Sequence, residues 1–89
     1  VPVSFSLEQN YPNPFNPSTL IKYSLAENTT VRLSVYDVLG REVAVLVNEF
    51  KTSGSYEVSF SGDNLSTGVY YYRIDAGSFT DTKKMLMIK

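Results

Sequence analysis

The sequence predicts an all-β chain folded as a sandwich of two antiparallel sheets, and three observations lead there. Helical periodicity is nearly absent, because no long run places apolar residues at i, i+3, i+4 and i+7. Strict alternation takes its place: Ile21, Tyr23 and Leu25 fall on one side of a pleat, and Lys22 and Ser24 on the other. Turn-forming clusters then divide the alternating runs at roughly 10–12-residue intervals, the spacing of a sandwich or barrel.

The expected strands are 4–8, 19–25, 31–37, 42–47, 55–61, 69–76 and 79–88. Val31, Leu33 and Val35 alternate with Arg32, Ser34 and Tyr36, so the latter three are expected on the wet face. Tyr56, Val58 and Phe60 repeat the pattern, as do Tyr70, Tyr72 and Ile74. The run Val43-Ala44-Val45-Leu46-Val47 is apolar throughout and reads either as a strand covered on both faces or as one helical turn. Breaks fall at Ala26 to Thr29, Asp37 to Arg41, Asn48 to Gly54, Gly62 to Gly68 and Ala76 to Ser78. Seven short antiparallel strands in this order predict an immunoglobulin-like β-sandwich with Greek-key connections. All 89 residues read as one domain, with no internal repeat or linker.

Composition narrows the chemistry. The chain has no Cys and no His, which removes disulfides, thiolate metal sites and the usual nucleophilic triads. No calcium-loop, phosphate-loop or dinucleotide motif is present, and no catalytic residue, metal or cofactor is expected. The net charge of −1 gives no reason to expect nucleic acid. No run approaches the ~18 apolar residues of a membrane-spanning helix. The charge is unevenly spread: Lys83, Lys84 and Lys89 make residues 83–89 +3, leaving −4 for the rest. That basic end is either a contact patch or the solubilising rim of an edge strand. The chain opens on Val1, and we expect a domain taken from a larger protein, and a monomer.

Four motifs stand out. Tyr11-Pro12-Asn13-Pro14-Phe15-Asn16-Pro17 carries three prolines, which set φ and remove backbone donors, so a stiff extended loop is expected. Tyr11 and Phe15 are expected to anchor it on the sandwich, with Asn13 and Asn16 bonding nearby backbone. The loop then either closes one end of the fold or presents a rigid recognition surface. Leu65-Ser66-Thr67-Gly68-Val69-Tyr70 has the form of a tyrosine corner, with Gly68 allowing a tight entry to the strand and Tyr72 facing the core. Asp37-Val38-Leu39-Gly40-Arg41 reads as a hairpin turn with positive φ at Gly40 and Asp37 bonding its own backbone. Thr82 to Lys89 is a last strand bracketed by lysines, for which strand addition is the natural mode of recognition by a partner. Tyr36, Tyr71 and Arg73 are expected to point outward together, either as an aromatic strip of the kind that binds sugars or as ordinary strand surface.

In order along the chain, these motifs resemble the type A C-terminal sorting domain of type IX secretion substrates in Bacteroidetes and related bacteria. The segments that carry the resemblance are Leu7 to Thr19, Val35 to Val43, Leu65 to Tyr70 and Lys83 to the end. The middle ones are similar also to the immunoglobulin-like domain of flagellar hook-capping proteins, and the basic last strand favours the sorting domain. The resemblance implies a non-enzymatic signal that follows an N-terminal cargo domain and is read by the outer-membrane translocation machinery. It also implies removal by a sortase-like peptidase and delivery of the cargo to the cell surface or medium. The residues that map onto the family, and are therefore candidates for partner binding, are Pro12, Asn13, Pro14, Gly68, Tyr70, Lys83, Lys84 and Lys89. A carbohydrate-binding or adhesive module and a passive spacer remain as alternatives.

Overall fold

A computed structural model describes residues 4–89. Seven strands form two antiparallel sheets: β1 (Ser6–Leu7), β2 (Ser18–Leu25), β3 (Thr29–Tyr36), β4 (Glu42–Lys51), β5 (Gly54–Ser61), β6 (Gly68–Ala76) and β7 (Phe79–Met87). One sheet runs β1-β2-β5 and the other β4-β3-β6-β7. The chain changes sheet between β2 and β3, β4 and β5, and β5 and β6, as an immunoglobulin-like sandwich does. The fourth strand pairs with the third, whereas in constant-type immunoglobulin domains it belongs to the opposite sheet.

The alternation sets the core. Ile21, Leu25, Val31, Leu33, Val35 and Ile74 are fully buried between the sheets, together with the ring of Tyr72. Burying a large apolar side chain contributes about 1.5–3 kcal/mol, and in so small a domain this one layer carries the stability. The tyrosine corner forms as expected, with the Tyr70 hydroxyl donating to the carbonyl of Ser66 at 2.6 Å. The turn after β3 also forms. Gly40 has φ +81°, and Asp37 Oδ1 accepts from the N–H groups of Leu39 and Arg41 at 2.9 and 3.0 Å. These bonds, that of Arg41 foremost, hold the Asp37 carboxyl below its ordinary range.

Several expectations change. The first strand is two residues long, not 4–8, because Glu8 to Asn10 set three residues against two of β2 before Tyr11 pairs with Leu20. The apolar run Val43–Val47 is a strand and not a helical turn, yet it is not covered on both faces. It lies at a sheet edge with Val43 and Val45 exposed, and two register shifts bend it. β4 also runs on to Lys51. Gly68 makes no close approach, since nothing lies within 4 Å of a side chain placed there. Its φ of +156° is what favours glycine.

Ser34 belongs to the outer face by alternation but is only 1% exposed, and its hydroxyl has no partner among the described residues. Arg32, Ser34 and Tyr36 share that face, and Glu42 lies opposite Tyr36. The Arg32–Glu42 ion pair, at 2.7 Å, therefore runs along the strand across Ser34.

Candidate functional site

The proline loop is organised by a buried polar knot that precedes it. Asn10, 2% exposed, donates from Nδ2 to the carbonyl of Pro12 at 3.1 Å and to Thr19 Oγ1 at 3.0 Å. Thr19 donates to the same Pro12 carbonyl at 2.9 Å. The Asn10 N–H donates to the Tyr72 hydroxyl at 2.8 Å, and that hydroxyl donates to the Glu8 carbonyl at 2.6 Å. Burial pushes the Tyr72 phenol up to about 12, so it stays protonated and able to donate at physiological pH.

From this knot the loop crosses to the last strand and takes the place of a further strand beside it. Phe15 donates its N–H to the Leu86 carbonyl at 3.0 Å and accepts from the Ile88 N–H at 2.9 Å. Asn13 Oδ1 accepts the Leu86 N–H at 3.0 Å, across 73 residues of sequence. Gln9 Nε2 donates to the Lys84 carbonyl at 2.7 Å. The outward backbone groups of β7 are those of Thr80, Thr82, Lys84 and Leu86, because antiparallel pairing alternates and Leu86 faces the loop. The edge that strand addition requires is thus occupied from Lys84 to Ile88, and among the described residues no other segment hydrogen-bonds the outward backbone of Thr80 and Thr82. Sealing an edge in this way is a recognised protection against unwanted pairing.

Phe15 is the anchor: its ring is 1% exposed and meets Phe60 edge-on at 6.0 Å. Tyr11 is not. Its backbone is bolted to Leu20 by two hydrogen bonds of 2.9 and 3.0 Å, while its ring is 80% exposed. Pro12, Asn13 and Pro14 are exposed at this end, beside exposed Leu86 and Ile88. Gly68 sits opposite Met87 at the start of β6. Tyr70 is buried and its hydroxyl is engaged by the Ser66 carbonyl.

The three lysines do not form one patch. Lys83 lies on the inner side of β7, 3.9 Å from Asp81. Lys84 points to the outer face, opposite Tyr71. Lys89 folds back at the loop end, where its Nζ donates to the Asp63 carbonyl at 2.7 Å and its N–H to Thr67 Oγ1 at 3.0 Å. Lysines 83 and 84 are neighbours in sequence, and a pleat sends neighbours to opposite faces.

Sequence reasoning missed Gln9, Asn10, Thr19 and Gly62. The Asn/Pro spacing marked the loop, but nothing local shows which asparagine turns inward. Gly62 donates its N–H to the Pro17 carbonyl at 2.8 Å, and a Cβ there would collide with Sδ of Met87, which is fully buried. Gly62→Ala is therefore expected to destabilise the fold by roughly 1–3 kcal/mol through overpacking. Urea unfolding followed by circular dichroism reads the change, and parental stability would mean that Met87 has room to give way.

The arrangement defines a class: a β-sandwich in which an early loop, a tyrosine corner and the last strand converge on one end. The chain matches the secretion-system C-terminal sorting domain over residues 9–89 and belongs to that family. A search of curated proteins finds no match. The domain is a sorting signal for type IX secretion, which directs export across the outer membrane to the cell surface or medium and implies interaction with that machinery.

Proposed function

We propose that this domain is a non-enzymatic address, read in its folded form by the outer-membrane translocation machinery on behalf of an N-terminal cargo domain. A sortase-like peptidase then removes it. The observation that supports a folded signal is the closure of Asn13 onto Leu86. The segments that carry the family resemblance meet only when the sandwich is complete. Because the loop occupies the β7 edge there, the contact is made by side chains rather than by an added strand. Pro12, Asn13, Pro14, Ile88 and Lys89 form that contact surface, and Gly68 and Tyr70 hold its shape. A chain without Cys or His offers little for catalysis, in keeping with this role.

The test is export of a reporter fused to residues 1–89 in a type IX-competent bacterium. The fusion is expected in the medium or on the surface. A Pro14→Ala/Ile88→Ser/Lys89→Ser variant, altered only at exposed positions, should fold but export at least about tenfold less, equivalent to ~1.4 kcal/mol of recognition. Secretion no better than that of the unfused reporter overturns the sorting role for this chain. Undiminished export of the folded triple variant overturns this end as the contact surface. Truncation is a poor substitute, because Met85 and Met87 belong to the core and removing β7 strips both.

A further inference from the structure

We propose that the groove over Tyr36 and Tyr71, on the outer face of the four-stranded sheet, binds a short acidic glycan. This is independent of the sorting role, which concerns the end of the sandwich.

The register builds the site. Tyr36, Tyr71 and Lys84 stand in line across β3, β6 and β7, with Ser34, Arg73 and Thr82 in line beside them. Tyr36, Tyr71, Arg73 and Thr82, with Asp37, Val38 and Gly40 of the turn, line an open groove of about 320 Å³, and Lys84 stands beside it. That volume lies at the small end of ligand pockets and suits one or two sugar rings. The floor is rigid, since β3 and β6 are the two central strands and the residues on their opposite face are core.

Among the described residues the hydroxyls of Tyr11, Tyr23, Tyr36 and Tyr71 have no hydrogen-bond partner, and of these four Tyr36 and Tyr71 are the two that stand side by side on an outer sheet face. Tyr56, Tyr70 and Tyr72 each donate to a backbone carbonyl at 2.6 Å. The hydroxyls of Tyr36, Tyr71 and Thr82 have no partner among the described residues, and all three line the groove. Two aromatic rings with free hydroxyls offer a sugar both a flat apolar surface and neutral hydrogen-bonding groups.

Charge selects the kind of sugar. Around the groove Arg32 is paired with Glu42, Arg41 with Asp37 and Arg73 with Asp75, at 2.7, 2.8 and 3.1 Å. Lys84, directly across from Tyr71, is exposed and has no acidic partner among the described residues. The uncompensated charge on this face is positive, so a ring carrying a carboxylate is favoured over a neutral one.

The experiment is a titration of the whole chain with tetragalacturonate and with uncharged maltotetraose at low salt, followed by calorimetry and amide chemical shifts. Tetragalacturonate is expected to bind with a Kd of about 1 mM, moving the amides of Tyr36, Tyr71 and Lys84, and more tightly than maltotetraose. Tyr71→Ala should weaken binding at least about tenfold. Lys84→Gln, an exposed change that leaves the core untouched, should remove the preference for the acidic sugar. Tyr11→Ala, outside the groove, should bind like the parent. No response to tetragalacturonate at about 10 mM, equal binding of both sugars, or binding unaltered by both the Tyr71 and Lys84 changes overturns the proposal.

Discussion

Replacing Phe15 by alanine is expected to cost about 3–5 kcal/mol, the usual loss for a buried aromatic cut to a methyl group. Small domains have a total stability on the order of 5–15 kcal/mol, so this one change removes a large part of it. The ring is 1% exposed and packs edge-on against Phe60. It also pins the backbone that bonds Leu86 and Ile88. The loss should therefore appear in two readings. Urea unfolding gives the lower stability, and hydrogen exchange shows the amides of Leu86 and Ile88 losing protection ahead of the rest of β7. Once uncovered, that edge is free to pair with another chain, so concentration-dependent association should rise as well. If those two amides stay as protected as in the parent, the loop is not what covers the edge.

Tyr72→Phe is expected to cost about 1–3 kcal/mol at neutral pH, because it leaves the buried Asn10 N–H without an acceptor and the Glu8 carbonyl without its donor. The pH profile identifies the cause. Burial raises the phenol from 10.0 to about 12 in the folded chain. Between those values the unfolded state gives up its proton and the folded state keeps it, so the folded state binds more protons and stability falls as pH rises. The Tyr72 contribution is whole below pH 10 and is lost as pH climbs toward 12. In the phenylalanine variant the alkaline fall should be shallower. It should not vanish, since burial raises Tyr23 too. Denaturant melts at stepped alkaline pH check this, and identical slopes for the two chains would show that the Tyr72 proton is not the one involved.

The parts legible in sequence were those governed by neighbours along the chain. Alternation placed Ile21, Leu33, Tyr72 and Ile74 in the core, because a pleat sends successive side chains to opposite faces. Gly40 and Asp37 announced their turn because both act within four residues. The corner at Tyr70 was visible for the same reason. Boundaries slipped where strands left ideal pairing, at the shortened β1 and in the bent β4. Ser34 was assigned to water by its parity and is instead buried, on a face where Arg32 of its own strand reaches across to Glu42 of β4.

At the candidate site the division is sharper. Composition and motif order were enough to imply a small β-sandwich of the sorting-domain family, and to mark Pro12 to Pro14 and the last strand as its distinctive segments. They did not show that Phe15 turns inward while Tyr11 stays in solvent. Nor did they show that Lys83, Lys84 and Lys89 part company, or that Asn13 reaches Leu86. The physical reason is one of range. The period of a strand is a local property, set by backbone geometry and readable from a few residues. Which edge is sealed, and by what, depends on hydrogen bonds between segments 73 residues apart, and these acquire a geometry only when both sheets have closed on their common core.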